Sequence, residues 1–224
     1  MEEFKKNKNK IKLETFDEKS KKQQPIRLLI IGSSGSGKTT LLLNFIYKRL
    51  IPYTNLYVFS KSLEQSSYIK LQKRFKNIEL NIKKKISYFF SSCEDIIPLS
   101  ECKPNSLIIF DDCILENQSI IKEYFVMGRH KNISCIYLSQ CFSKVDIQLI
   151  RNNLNMLCIF KQNEHYTKKI YDNFVGSDMN FNQFKDICND CWKENFGFLT
   201  INLLLKPNKG KYMNKFCDIK ISSE

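Results

Sequence analysis

Residues 26–40 read IRLLIIGSSGSGKTT, and this stretch decides the fold. An apolar run that ends at a glycine is typical of a buried β-strand. Residues 32–39 then match the pattern GxxxxGK[ST], and the chain continues as an apolar helical stretch to about Leu50. A glycine-rich loop between a strand and a helix is the setting that identifies a phosphate-binding P-loop. The sequence therefore predicts a nucleotide site at the carboxyl end of the first strand.

The residue types in this loop suit the binding of a nucleoside triphosphate. Glycines let backbone N–H groups turn toward the β-phosphate, and the helix N-terminus adds positive potential. Lys38 is predicted to bridge the β- and γ-phosphates, and the Thr39 hydroxyl to hold Mg²⁺. Only seven glycines occur in the chain and three fall in this octet, which disfavours a chance match. With ATP and Mg²⁺ as the predicted cofactors, the nucleotide-binding residues are Gly32, Ser33, Ser34, Gly35, Ser36, Gly37, Lys38, Thr39 and Thr40.

A second apolar strand, SLIIFDD at 106–112, ends in two acids. Asp111 is predicted to bind Mg²⁺, because an acid at a strand end lies beside the P-loop in this class of site. Asp112 stands where many ATPases carry a Glu that polarises the attacking water. Since Asp is one methylene shorter, Glu116 is kept as a fallback general base.

Strands and helices alternate along the chain. Strands are predicted at 26–31, 55–60, 86–90, 106–110, 133–139 and 155–160, and helices at 63–75, before Pro104, and at 115–128, 145–152 and 164–175. This alternation predicts an α/β fold with a mostly parallel sheet covered by helices on both faces. The spacing between the P-loop and Asp111 suits ATPases in which another strand lies between the P-loop strand and the acid-bearing strand. In this chain the inserted strand would be 133–139. Gln140 at its tip is then a candidate sensor of the γ-phosphate.

Composition and charge indicate a folded chain with a polyanionic partner. The chain has 224 residues, 42% of them hydrophobic, and its excess of Lys and Arg gives a net charge of +13. Such an excess favours nucleic acid, although Lys, Asn and Ile enrichment also follows from an AT-rich genome. No window reaches the roughly 18 apolar residues of a membrane helix, and the start lacks a secretory signal. A soluble intracellular protein with no membrane partner is expected.

The chain is divided into three parts by composition. We predict a flexible charged arm at 1–24, a P-loop ATPase domain at 25–205 and a basic tail at 206–224. The candidate DNA contacts are the Lys-rich arm, the run 83–85 and the stretch 206–215, each of which also suits a solvated face.

The nine cysteines are scattered, and several lie in apolar runs, which favours reduced, buried thiols over a disulfide framework. Cys188 and Cys191 form one CxxC pair, and His165 or Cys217 could assist it. A zinc site needs four ligands, so this pattern is weak evidence for metal.

Three further motifs resemble the poxvirus-type virion DNA-packaging ATPases of the FtsK/HerA superfamily. They are GRHKNIS at 128–134, LSQ at 138–140 and IRNN at 150–153, which add to the P-loop and to FDD at 110–112. The similarity covers roughly 26–162, and the chain's size is closest to that of virophage or Maverick-type members. The resemblance implies a RecA-like core that forms a homo-oligomeric ring and pumps double-stranded DNA into a preformed capsid. It also implies contact with a capsid protein, and a location in the host cytoplasm at the viral factory, with the virion as a second candidate location.

The resemblance supports the same site residues. It implies Lys38 and Thr39 on nucleotide and metal, Asp111 on Mg²⁺, Asp112 as the catalytic acid partner of Asp111, and Gln140 as sensor. The arginine finger stays open between two residues. Arg151 is favoured because it follows the fourth predicted strand on the nucleotide edge. Arg129 lies at the opposite edge, far from its own subunit's ATP, and either arginine could serve a neighbouring subunit.

Three other functions compete with DNA packaging. A cellular FtsK/HerA-like pump would carry a membrane anchor or an added DNA-reading domain, and neither is seen in this sequence. A nucleotide or small-molecule kinase would need an arginine-rich lid, and the arginines are widely spaced. A non-catalytic nucleotide-gated adaptor is disfavoured by the intact Lys38, Thr39, Asp111 and Asp112.

Overall fold

The structure is a computed structural model that describes residues 24–92, 95–113, 118–145 and 152–218. Nine strands in these ranges form one sheet in the order β3-β2-β4-β5-β1-β6-β7-β8-β9. The strands are β1 Arg27–Ile31, β2 Asn55–Ser60, β3 Ser87–Phe90, β4 Ser106–Asp111, β5 Ser134–Ser139, β6 Met156–Phe160, β7 Phe198–Asn202, β8 Tyr212–Asn214 and β9 Cys217–Asp218. The helices are α1 Lys38–Tyr47, α2 Ser66–Ile82, α3 Gln118–Met127, α4 Glu164–Phe174 and α5 Phe181–Cys191.

The sheet is parallel from β3 to β6 and antiparallel from β7 onward. Strand β1 lies between β5 and β6, and β5 lies between β1 and β4. The predicted insertion of strand 133–139 between the P-loop strand and the acid-bearing strand is therefore confirmed. Because the carboxyl ends of parallel strands meet at one edge, the P-loop, Asp111 and Gln140 come together there.

Successive residues of β1 alternate between two hydrophobic cores, one on each face of the sheet. Leu28 and Ile30 pack with the apolar faces of α1 and α2. Leu29 and Ile31 pack on the other face with residues of α3, α4 and α5. Both faces of the sheet are thus covered by helices, as the alternation of elements predicted.

Several helix predictions differ from the structure. Helix α2 runs to Ile82 and ends at Lys83, which adopts a left-handed φ of 52°. The short helix expected before Pro104 is not found in residues 96–103, and residues 93 and 94, shortly before them, lie outside the described ranges. The predicted helix at 145–152 lies almost entirely outside the described residues. Helix α5 was missed, although Asn180 and Gln183 form a capping box that marks its start.

The carboxyl-terminal part of the described chain extends the sheet. Strand β7 pairs with β6, and β8 and β9 follow within the stretch that the sequence suggested as a basic tail. The boundaries at 24 and 205 stay predictions, and residues 1–23 of the predicted arm lie outside the described residues. In the described ranges, no helix has the length and apolar character needed to cross a membrane.

Candidate nucleotide site

The P-loop has the backbone of a phosphate cradle. Gly35 and Gly37 adopt φ angles of 75° and 105°, which favour glycine. The N–H of Gly32 donates to the Ser139 carbonyl oxygen at 3.2 Å, which ties the start of the loop to the tip of β5. Ser36 Oγ is buried without a hydrogen-bond partner in the described residues. A Cβ on Gly32 would lie 2.4 Å from this oxygen, so the hydroxyl lies against the start of the loop, where only glycine leaves room for it.

The side chain of Lys38 reaches back across this loop and is hydrogen-bonded to its first two residues. Its Nζ donates to the carbonyl oxygens of Gly32 at 2.7 Å and Ser33 at 2.8 Å. Burial lowers the pKa of Lys38, while the nearby carboxylates of Asp111 and Asp112 oppose that shift. The ammonium group therefore lies between the loop and the acids, where an anionic phosphate would complete its contacts.

Asp111 ends β4 and is fixed by neighbours from other strands and helices. Tyr68 Oη donates to its Oδ2 at 2.5 Å, and Ser60 Oγ donates to the same oxygen at 3.4 Å. Burial raises the pKa of Asp111, and Asp112 adds to that shift, whereas Tyr68, Lys38 and Ser60 act in the opposite direction. Its Oδ1 accepts no hydrogen bond from the described residues, which leaves that oxygen available to a cation.

Asp112 and Gln140 face each other across the strand tips. Asp112 adopts a left-handed φ of 57°, unusual for a non-glycine residue, directly after Asp111. Gln140 Nε2 donates to Asp112 Oδ2 at 3.4 Å, so the two side chains lie within contact of one another. Strain of this kind at a strand end is common at functional sites.

These residues share one cavity of about 310 Å³. Lys38, Thr39, Thr40, Asp111, Asp112 and Gln140 all line it. The Thr39 hydroxyl makes no hydrogen bond with any described residue, and it and Asp111 Oδ1 are oxygen atoms of the kind that Mg²⁺ prefers as ligands. The residues present therefore fit both a triphosphate and a divalent cation.

The structure does not bring every candidate residue to this cavity. Arg151 and Glu116 lie outside the described residues. Arg129 is exposed in the turn Gly128–Lys131 that precedes β5. Since β5 runs parallel to β1, that turn is at the opposite edge of the sheet from the P-loop, as expected. No arginine of the described ranges lines the cavity.

Much of the GRHKNIS motif serves the fold at that opposite edge. Lys131 Nζ donates to the carbonyl oxygens of Leu99 at 2.9 Å and Ser100 at 2.7 Å. Asn132 takes a left-handed φ of 55°, and its amide donates to Asn105 Oδ1 at 2.7 Å. The motif therefore fixes the loops before β4 and β5, the two strands whose tips carry Asp111 and Gln140.

Sequence reasoning missed Ser62, Gln65 and Phe196, which line the cavity, and Ser60 and Tyr68, which hold Asp111. Tyr68 lies in the predicted helix 63–75, where its spacing with Leu71 and Phe75 fits a buried core face and gives no sign of a contact with Asp111. Ser60 closes a strand, where a polar residue is ordinary. Phe196 reaches the cavity from the turn before β7, and only its long-range packing reveals it.

The cysteines do not form a metal site in the described part of the chain. Cys188 and Cys191 are free and buried, and burial raises the pKa of both thiols. No group of three or more His, Cys, Asp and Glu side chains in the described ranges is arranged to hold a metal. Cys113 departs from the expectation of reduced thiols, because it is disulfide-bonded.

The strand order and the site together define the class of protein. A P-loop on β1, acids on β4 and the inserted β5 between them make this a RecA-like P-loop ATPase fold. The chain belongs to the Poxvirus A32 protein family, whose family model matches residues 13–190. The family predicted from the motifs is thus confirmed.

Sequence relatives of this chain include proteins of poxviruses and of an iridescent virus. The chain is 27% identical over 154 residues to "DNA packaging protein OPG160" of vaccinia virus (strain Copenhagen), covering 65% of this chain and 56% of that protein. It is 26% identical over 186 residues to the uncharacterized protein 088R of invertebrate iridescent virus 3, covering 75% and 66%. The chain spans about half the length of the poxvirus relatives that it matches.

Solved structures support the fold assignment. The DNA-packaging ATPase B204 of Sulfolobus turreted icosahedral virus matches with a TM-score of 0.56 at 16% identity, covering 79% of this chain and 92% of that one. B204 of Sulfolobus turreted icosahedral virus 2, in complex with AMP, matches with a TM-score of 0.54 at 13% identity, covering 81% and 94%. At these identities the similarity is one of fold.

Proposed function

We propose that this protein is an ATP-hydrolysing motor that translocates double-stranded DNA and packages a viral genome into a preformed capsid. The observation that carries the proposal is the convergence of Lys38, Thr39, Asp111, Asp112 and Gln140 on one cavity. An intact set of binding and hydrolytic groups distinguishes a turnover site from a nucleotide-gated adaptor. Membership in the Poxvirus A32 protein family, with relatives named as DNA packaging proteins, supports DNA as the cargo.

The residues divide the chemistry of ATP hydrolysis among them. The P-loop backbone and Lys38 bind the β- and γ-phosphates, and Thr39 and Asp111 hold Mg²⁺. Bound Mg²⁺ would neutralise charge that develops on the phosphate oxygens. Asp112 orients the attacking water and accepts its proton, and Gln140, within reach of Asp112 Oδ2, senses the γ-phosphate and aligns that water.

A homo-oligomeric ring completes the proposed site with an arginine finger. Charge on the transferred phosphoryl group needs a cation beyond Lys38, and such an arginine is often supplied in trans. Arg151 remains the favoured candidate. Arg129 is exposed at the far edge of the sheet, so it could reach only the nucleotide of a neighbouring subunit.

The charges on α2 make its surface our preferred DNA contact. Exposed cations on this helix and the turn after it are Lys70, Lys73, Arg74, Lys76, Lys83, Lys84 and Lys85. The acid of α2, Glu79, already accepts from the backbone N–H groups of Ile86 and Ser87. In the stretch 206–215, by contrast, Lys211 pairs with Asp178 and Lys215 with Glu194. More uncompensated positive charge is therefore found on α2.

Steady-state ATPase activity with and without linear duplex DNA, at several protein concentrations, tests the motor. We expect slow turnover alone and stimulation by DNA that rises steeply with protein concentration, because the ring must assemble. DNA-independent turnover by a strict monomer would contradict a translocase and favour the kinase alternative. A cellular-type pump would pass this test but would not associate with the capsid protein or the virion.

Salt dependence of DNA binding tests the α2 surface. Each phosphate contact contributes about −0.9 to the slope of log K against log salt. Replacing Lys83, Lys84 and Lys85 with Gln should therefore reduce that slope, whereas replacing Lys206 and Lys209 should leave it nearly unchanged. The reverse ranking would move the contact to the carboxyl-terminal stretch.

A further inference from the structure

A second cavity of about 180 Å³ adjoins the phosphate cavity. It is lined mainly by apolar side chains of α1, of the tip of β6 and of the β7–β9 region, among them Leu41, Phe160, Phe198 and Phe216. Gly37, Thr40 and Phe196 line both cavities, so one opens directly beside the other. The polar cavity suits the phosphates of a nucleotide, and the apolar cavity next to it suits the base.

Phe196 stands between the two cavities in a conformation that its residue type disfavours. It is 67% exposed, although large aromatic side chains usually contribute to a core. Its φ of 59° lies in the left-handed region, which is a true outlier for a bulky residue. Exposure and strain together indicate that something other than packing stability keeps this ring in place.

The turn around Phe196 is held on several sides. Trp192 Nε1 donates to the Ile159 carbonyl oxygen at 2.9 Å, and Lys215 Nζ donates to Glu194 Oε2 at 2.6 Å. A Cβ on Gly197 would lie 2.1 Å from the Cys191 carbonyl oxygen, so this backbone passes too close for any other residue. These contacts hold the turn, and the Phe196 ring lies against the P-loop, where a Cβ on Gly37 would lie 3.1 Å from Phe196 Cδ1.

We propose that Phe196 stacks on the base of the bound nucleotide, and that stacking rather than hydrogen bonding provides most of the base recognition. This inference rests on the proposed function, because the phosphates must occupy the P-loop for the base to reach this cavity. The side-chain amide of Asn44 belongs to the lining and makes no hydrogen bond with any described residue, whereas its backbone carbonyl accepts from the Lys48 N–H. An amide carries both a donor and an acceptor, so it can meet the edge of either purine.

The proposal has a consequence for nucleotide preference. Stacking tolerates any base, because every base presents a π-face. Adenine and guanine nucleotides should therefore bind with affinities within about fivefold of one another, because a stacking site lacks the buried polar groups that give strong discrimination. A preference above about a hundredfold for either purine would indicate hydrogen-bond readout and overturn the inference.

Calorimetric titration with ADP and with tripolyphosphate, which has no base, separates the two cavities. Phe196→Ala should weaken ADP roughly tenfold, the effect of losing one base stack, and leave tripolyphosphate within about twofold. Phe196→Trp should retain ADP affinity. Leu80→Ala is the matched control, because Leu80 is 68% exposed and lies away from both cavities.

The outcomes distinguish this inference from the proposed function. Equal weakening of both ligands would mean that Phe196 only supports the P-loop, and unchanged ADP affinity would mean that it contacts no base. Either result overturns the stacking role while leaving a nucleotide site. If the wild-type protein bound neither ligand, the proposed function and this inference would fail together.

Discussion

The two walls of the phosphate cavity are built in opposite ways. The P-loop wall comes from one continuous segment, residues 32–40, and its shape follows from local backbone angles at Gly35 and Gly37. The acid wall is assembled from separate segments, with Ser60 and Tyr68 holding Asp111. Its geometry therefore depends on the register of the sheet, in which Ser60 pairs with Asp111 across β2 and β4. A local wall can be recognised from sequence as a whole, whereas the contacts that hold an assembled wall can be recognised only from the fold.

Removing the central cation of the P-loop wall should have the largest effect. Lys38→Ala deletes the ammonium group that would contact two phosphates, and hydrogen bonds to charged groups contribute roughly 1.5–3 kcal/mol each. We expect ATP affinity to fall by roughly a hundredfold or more, with all turnover lost, in a calorimetric titration with Mg²⁺. Lys76→Ala, an exposed lysine of α2, should bind ATP normally. Retained affinity in Lys38→Ala would refute the assigned phosphate contact.

On the acid wall, Asp112→Asn should separate binding from hydrolysis. The amide keeps the shape of the side chain but cannot accept the proton of the attacking water. Turnover should fall by roughly 10²–10⁴-fold, while ATP affinity changes little. Single-turnover assays alongside equilibrium binding would measure both, with the exposed Asp186→Asn as control. Normal hydrolysis in Asp112→Asn would assign the base to Glu116 or another group.

The difference between the walls also explains what the sequence could predict. The P-loop, Asp111, Asp112 and Gln140 were found because each follows a recognisable strand, and parallel strand ends converge. Tyr68 was not found, because a tyrosine at helical spacing indicates a core face and nothing local shows that its hydroxyl meets Asp111. Phe196 was also missed, because nothing local shows that its turn lies at the P-loop. That position depends on α5, which was not predicted, and on the antiparallel pairing of β7 with β6.

The burial of Asp111 should make stability depend on pH when metal and nucleotide are absent. Its pKa is raised above the ordinary 3.8, mainly by burial, so the folded protein favours the protonated acid. The stabilisation from this proton is complete below about pH 3.8 and is lost as pH rises through the raised pKa. Urea unfolding from pH 4 to 8 should therefore show that Asp111→Asn gains stability relative to the wild type as pH rises.

Tyr68→Phe tests whether the tyrosine hydroxyl affects the pKa of Asp111. The hydroxyl stabilises the Asp111 carboxylate, so its removal should raise the pKa of Asp111 further. The loss of stability should then begin at the same pH, continue to higher pH and be larger in total. At neutral pH the variant should lose about 1–3 kcal/mol, the usual effect of removing one partner from a buried polar group. Identical pH profiles for Tyr68→Phe and the wild type would mean that the hydroxyl does not act on Asp111.

The smallest effect that we expect is the loss of stability from a backbone change in the P-loop wall, Gly35→Ala. Gly35 has a φ of 75°, and an added Cβ would meet no atom within 4 Å, so Gly35→Ala introduces conformational strain without a clash. A left-handed conformation costs a non-glycine residue about 1–2 kcal/mol, which thermal unfolding would detect. Gly176→Ala is the control, because Gly176 has no positive φ and an added Cβ would make ordinary contacts. Equal stability of the two variants would mean that the loop relaxes freely, and that its shape is set by the bound phosphate instead of by residues 32–40 themselves.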